Sequence, residues 1–200
     1  MYDEDQAWLQ TDIKHLWMLD KLLLSRHLNY VCGPVGLDVP KPGVYIVRPC
    51  VNIMGLGLEA HKTWIEKETD TLPIGHFWCE WFEGKHVSVD YDNFEPILTV
   101  QGHKEKGTLT KWSLWNKIDH IHPFPDSIRN ILKKNGATSI PRYINIEFIG
   151  DKVIEIHFRR NPDFQWGNIK FIPIFEDDVP KGHRLISCPD KNGRVAAIID

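Results

Sequence analysis

Apolar and polar positions alternate most regularly from Arg142 to Arg160, RYINIEFIGDKVIEIHFRR. Ile144, Ile146 and Phe148 alternate with Asn145 and Glu147. After Gly150-Asp151-Lys152, Ile154, Ile156 and Phe158 alternate with Glu155, His157 and Arg159. A period of two marks a strand, and a glycine-containing break between two such runs marks a tight turn. The pattern predicts an antiparallel pair with each polar set on one face, which brings Glu147 near Glu155 and His157.

The rest of the chain is less regular but readable. Over residues 4–28, Leu9, Ile13, Leu16, Trp17, Leu23 and Leu24 fall near helical spacing, with Gly33-Pro34 beyond. That predicts one amphipathic helix with Asp20-Lys21 inside it. The Gly- and Pro-rich CGPVGLDVPKPG reads as a connector. VYIVRP is a short apolar strand ending at Arg48, followed by a loop in which Gly55 and Gly57 bracket Leu56. In HFWCEWFEGKHVSVDY two aromatic-rich strands flank a turn at Glu83-Gly84-Lys85. PILTVQGHK reads as a strand through Gln101, whereas Trp112 and Trp115, three apart, suit either a helix or a sheet. Farther on, Asp126 caps a helix with Ile128, Ile131 and Leu132 on one face and Gly136 past its end. NIKFIPIFED reads as a strand that Pro173 assigns to an edge, and HRLISCPD with GRVAAIID as a terminal hairpin.

Composition narrows the class. The chain has 200 residues, 42% hydrophobic and 26% charged, which describes one globular domain or two small lobes. A formal net charge of −3 argues against a large nucleic-acid surface. No apolar run approaches the roughly 18 residues of a membrane span. The acidic start, MYDEDQAW, shows no signal peptide. Cys32, Cys50, Cys79 and Cys188 are far apart and form no C-x-x-C pair, which suits reduced thiols in a cytosol and not a zinc site. Eight tryptophans imply an aromatic core or stacking surfaces, and composition does not separate the two.

Candidate chemistry gathers in three places. Two carboxylates and an imidazole on one sheet face need positive charge between them, which a hard cation such as Mg²⁺ carrying phosphates would supply. A ribbon with a solvated charged face accounts for the same spacing. Arg48, at a strand end before a glycine loop, suits phosphate binding, because glycine lets backbone N–H groups approach phosphate oxygens. A simple turn also fits. The strands around Glu83-Gly84-Lys85 read either as a hairpin or as a crossing between two lobes. His120 and His122 with Asp119 fit a loop before two prolines better than a metal site.

Taken in order, these segments resemble the ATP-grasp superfamily. Its metal hairpin has an acidic residue on one strand and "Glu-apolar-Asn-x-Arg" on the next; here Glu147 is followed by Glu155-Ile156-His157-Phe158-Arg159, with His157 in place of Asn. Its "apolar-Lys-Pro … Gly-x-Gly" segment is similar to VYIVRP with Gly55 and Gly57, Arg48 replacing Lys. Its hinge strand is similar to 76–91, and Asp20-Lys21 resembles the segment that enters the domain. The resemblance covers about the last three quarters of the chain and leaves no room for the usual preceding α/β domain.

The resemblance implies an α+β fold: a single ATP-grasp-like domain over 1–200, with antiparallel sheets in two α+β lobes holding the nucleotide between them. The lid lobe would span about 40–82, and 1–39 with 83–200 would form the second. It implies ATP and Mg²⁺, with Glu147, Glu155 and His157 at the metal and Arg48 and Arg159 as catalytic phosphate contacts. Arg48, Gly55, Gly57, Glu80, Phe82 and His86 would bind nucleotide, His86 near the ribose. Arg160, Asn161 and Asn168 would shape the acceptor pocket. The implied activity is a carboxylate–amine or carboxylate–thiol ligase working through an acylphosphate on small-molecule substrates. A degenerate nucleotide-binding protein stays open, as does a structural or interaction protein with a protein partner or a second copy. The compact, tryptophan-rich chain also looks like small ATP-grasp-like proteins of tailed phages, which would put it in the host cytoplasm or the virion.

Overall fold

The computed structural model describes residues 9, 11–51, 59–109, 111–136, 140–175, 184–190 and 193–200. Strands β1 (Cys32–Pro34), β2 (Gly43–Pro49), β3 (His61–Ile65) and β4 (His76–Glu80) form a four-stranded antiparallel sheet in the order β1-β4-β2-β3. A larger sheet takes β5 (His86–Asp92), β6 (Glu95–Lys104), β7 (Trp112–Lys117) and β8 (Tyr143–Ile149). It also takes β9 (Lys152–His157), β10 (Lys170–Ile174), β11 (Leu185–Ser187) and β12 (Ala196–Ile199). Its eight strands run in the order β11-β12-β10-β7-β6-β5-β8-β9, and neighbouring strands are antiparallel.

Helices cover one face of the large sheet. Val89, Tyr91, Ile144, Ile146, Phe148 and Ile156 pack there against Trp17, Met18 and Leu24, and against Phe124, Ile128 and Leu132. The first three come from a 3₁₀ turn (Ile13–Met18) and α1 (Lys21–His27), the last two from α2 (Asp126–Lys134). The small sheet closes its own core with Tyr45, Val47, Ile65, Trp78 and Val39. Alternation then turns the polar set of the large sheet toward the small one.

Several expected elements take another form. The single helix over 4–28 is, among the described residues, two short helices. Asp12 accepts a hydrogen bond from Lys14 N at 3.1 Å and Asp20 from Leu23 N at 2.9 Å, so each opens a separate helix. The 32–43 connector contains β1, so the small sheet begins before residue 40. The run around Trp112 is a strand. Pro125, not Asp126, is at the cap of α2 and makes no side-chain cap bond; Asp126 is in the first turn. Pro173 does not lie in an edge strand: β10 runs between β7 and β12. Pairing with β7 covers only Lys170 and Phe171, so the missing N–H of Pro173 interrupts no ladder on that side.

Candidate functional site

A cleft of about 780 Å³ separates the two sheets. Its outer wall carries Ile46 and Arg48 of β2 and Lys62 of β3, and its floor carries the polar face of β5, β6, β8 and β9. The β8–β9 register sets Glu147 directly opposite Glu155 and Asn145 opposite His157. One irregularity departs from strict alternation. Ile154 is an extra residue on β9, between Glu147↔Glu155 and Phe148↔Val153. Val153 therefore fills the core, while Ile154 lines the cleft with Glu155 and His157.

Nitrogen groups from three elements surround the two carboxylates. His86 Nε2, on β5, lies 2.9 Å from Glu147 Oε2. His157 Nε2 stands between the acids, 3.5 Å from Glu155 Oε1 and 3.8 Å from Glu147 Oε1. Lys21 opens α1, is 3% exposed, and brings Nζ to 3.4 Å from Glu155 Oε1. Its backbone N–H donates to Cys50 O at 2.7 Å, which ties α1 to the chain just past β2. Burial works to raise the Glu147 pKa, but the imidazoles of His157 and His86 outweigh it and hold the carboxyl well below the usual range. Burial lowers the Lys21 pKa, against the pull of Glu155.

Arg48 reaches across from the small sheet, where Nη2 donates to Ile154 O at 3.0 Å and the guanidinium lies 5.2 Å from the Phe77 ring centre. Its Nε is buried without a hydrogen-bond partner. Phe82, Arg159 and Asn161 also line the cleft. His86, expected near a ribose, is instead a partner of Glu147. Three other residues are turned elsewhere. Glu80 accepts a hydrogen bond from Val31 N at 2.9 Å and holds the start of β1. Asn168 donates to Asp163 O and Lys170 O and braces its own loop. Arg160 is half exposed, 3.9 Å from Asp90 Oδ2. Gly55 and Gly57 lie outside the described residues. Lys21 carried a signal in the Asp20-Lys21 pair, but no pattern linked it to Glu155, 134 positions later.

The donor set fits a magnesium ion held together with phosphates. Glu147 and Glu155 offer hard oxygen donors on facing positions, and the contacts of buried Glu155 Oε1 to Lys21 and His157 are long ones that a metal ion could replace. Among the described residues no three Asp, Glu, His or Cys side chains form a ready metal cage. Magnesium asks for none, since it is usually held by one or two carboxylates plus substrate phosphates and water.

No protein-family model and no curated protein matches the sequence. Solved structures do match. A protein from Archaeoglobus fulgidus assigned to the ATP-grasp superfamily superposes with a TM-score of 0.53 at 13% identity, over 93% of this chain and 65% of its own. An L-amino acid ligase from Bacillus licheniformis gives 0.57 at 10% identity, over 97% of this chain and 70% of its own. Both superpositions span nearly the whole chain, so the protein has the ATP-grasp fold. The chain spans about two thirds of the length of these structures. No helix among the described residues is long and apolar enough to cross a membrane.

Proposed function

We propose that the protein is an ATP- and Mg²⁺-dependent ligase that joins a small carboxylic acid to an amine or thiol. One observation carries this reading: Glu147 and Glu155 face each other on one wall of a cleft whose other wall presents Arg48. Ile46 on the small sheet and Ile149 and Ile154 on the large one line the cleft beside Phe82 and suit a flat adenine. Glu147 and Glu155 would hold Mg²⁺, with His157, which stands between them, as an added donor. Bound there, the ion would neutralise phosphate charge as the terminal phosphoryl group departs.

Arg48 and Arg159 meet the remaining phosphate charge with fixed guanidinium donors. The substrate carboxylate oxygen bonds to the γ-phosphorus, the β,γ P–O bond breaks, and ADP leaves. The amine nitrogen or thiol sulfur then bonds to the acyl carbon, phosphate departs, and the nucleophile loses its proton. Asn161, on the floor beyond Arg159, is the candidate contact for the acceptor. A second reading, nucleotide binding without turnover, draws on Arg48, whose guanidinium already donates to Ile154 O.

Calorimetry with a non-hydrolysable ATP analogue, with and without Mg²⁺, tests the site. Saturable Mg-dependent binding that Glu155→Gln abolishes supports it. Unchanged MgATP-analogue binding by that variant overturns the metal assignment. Arg48→Ala should weaken the analogue more than adenosine, and equal losses would end its phosphate role. Phosphate release on adding acids and amines then separates the ligase from the silent binder.

A further inference from the structure

The β6–β7 side of the cleft has a construction that phosphate chemistry does not explain. Trp112 and Trp115 are three residues apart on β7, so strict alternation would send them to opposite faces. They face the same way because Ser113 is an extra residue, between His103↔Leu114 and Lys104↔Trp112. The rings lie 4.4 Å apart, centre to centre, tilted by 46°, and both line the cleft. Trp115 is 7% exposed and packs with Val100, Phe164 and Phe171, so Trp112 presents the more open ring. Gly102 lies beneath them. A Cβ there would come within 2.6 Å of Trp112 and 2.8 Å of Trp115, so only glycine lets the rings rest on β6. Bulge, glycine and paired rings together make a shelf.

The shelf is next to the reaction centre and away from the adenine slot. His86, whose other contact is Glu147, meets the rings edge-on, with centres 4.6 Å from Trp112 and 5.5 Å from Trp115. The slot formed by Ile149 and Ile154 lies beyond β5, on the β8–β9 side of the sheet. Lys104 Nζ lies 5.0 Å from the Trp112 ring centre, and among the described residues no carboxylate pairs with it. Its charge repels a cationic ligand from that ring. Among the described residues, seven Lys and Arg side chains line the cleft against five Asp and Glu, a balance that favours anionic ligands.

We propose that this shelf is the subsite for the carboxylic acid substrate, and that the acid is aromatic: its ring stacks on Trp112, which Trp115 backs from the core, while Lys104 takes the carboxylate. The assignment rests on the ligase reading for its place in the reaction, but not for binding. Offset stacking favours a planar ring over a saturated one, and the ammonium supplies a charge-assisted hydrogen bond.

The test is calorimetric titration with 3-phenylpropionate, 3-cyclohexylpropionate and propionate, each with and without the Mg-bound ATP analogue. The phenyl acid should bind about tenfold more tightly than either other acid, an advantage on the scale of one aromatic pair. Trp112→Ala should remove that preference and leave binding of the nucleotide analogue intact. Lys104→Met should weaken all three acids alike. Equal affinity for the three acids, or a preference that survives Trp112→Ala, overturns the proposal. If Trp112→Ala does not fold, Trp112→Leu gives the same comparison with the volume largely kept. Selective binding of the phenyl acid without any nucleotide binding would uphold the subsite and refute the ligase. Nucleotide binding without acid preference would do the reverse.

Discussion

Glu155 meets His157 from its own strand and Lys21 from another element. Lys21 and Glu155 are 3% and 14% exposed, so neither is well hydrated and each depends on the other. Lys21→Met should cost about 3 kcal/mol of unfolding free energy, because it strands a buried carboxylate. Lys21→Met combined with Glu155→Gln should recover much of that loss. Urea melts of the four proteins measure the coupling, and simple additivity would refute the pairing. Glu147 adds a pH dependence. Its folded pKa lies well below the ordinary 4.5, so the unfolded chain binds the proton first. Its contribution is fully present above pH 4.5 and is lost as pH falls through the folded value. Melting temperature should drop on acidification below about pH 4.5, and Glu147→Gln should flatten that drop. The acids were legible because a period of two is read directly from the chain. Ile154 was not, since an inserted residue leaves the residue types unchanged and shows only in the register.

At the scale of elements, the crossing from β4 to β5 decides how the sheets meet. Both strands are visible as aromatic-rich runs, but a hairpin and a crossing have the same pattern, and only the partners differ. β4 pairs with β1 and β2, whereas β5 pairs with β6 and β8. Gly84 makes the crossing fit. It has φ +140°, and a Cβ there would stand 2.7 Å from Gly150 N, in the turn between β8 and β9. Lys85 O also accepts the Gly150 N–H at 2.9 Å. Gly84→Ala should therefore cost more than the roughly 1 kcal/mol of a left-handed alanine alone. Gly75→Ala is the control, with φ +81° and nothing within 4 Å of the added carbon. Denaturant melts showing equal losses for the two would remove the steric role of Gly84. The helix expected over 4–28 was misjudged for a local reason: Asp12 and Asp20 are caps, and helical spacing alone does not reveal a cap.

For the whole molecule, the cleft is where stability and binding are linked. Among the described residues, Arg48 Nη2 to Ile154 O is a hydrogen bond from the small sheet to the large one across the cleft. A ligand that bridges both walls should stabilise the folded state by about 2.7 kcal/mol at a hundredfold excess over Kd. Thermal unfolding should rise with the ATP analogue only when Mg²⁺ is present. A shift without Mg²⁺ would place the ligand away from Glu147 and Glu155. The sheet order could not be read from the chain, because β10 pairs with β12 although β11 comes between them in sequence, and β5 lies between strands nearly sixty residues away and next door.

The bulge at Ser113 has one more consequence. Losing that single residue would leave the two tryptophans two positions apart, and plain alternation on β7 would keep both on the cleft face. Gly102, Lys104, His86 and both acids would keep their positions. A one-codon deletion there would therefore leave the pair of rings in place, and the proposed acid subsite would change only through substitution at the tryptophans themselves.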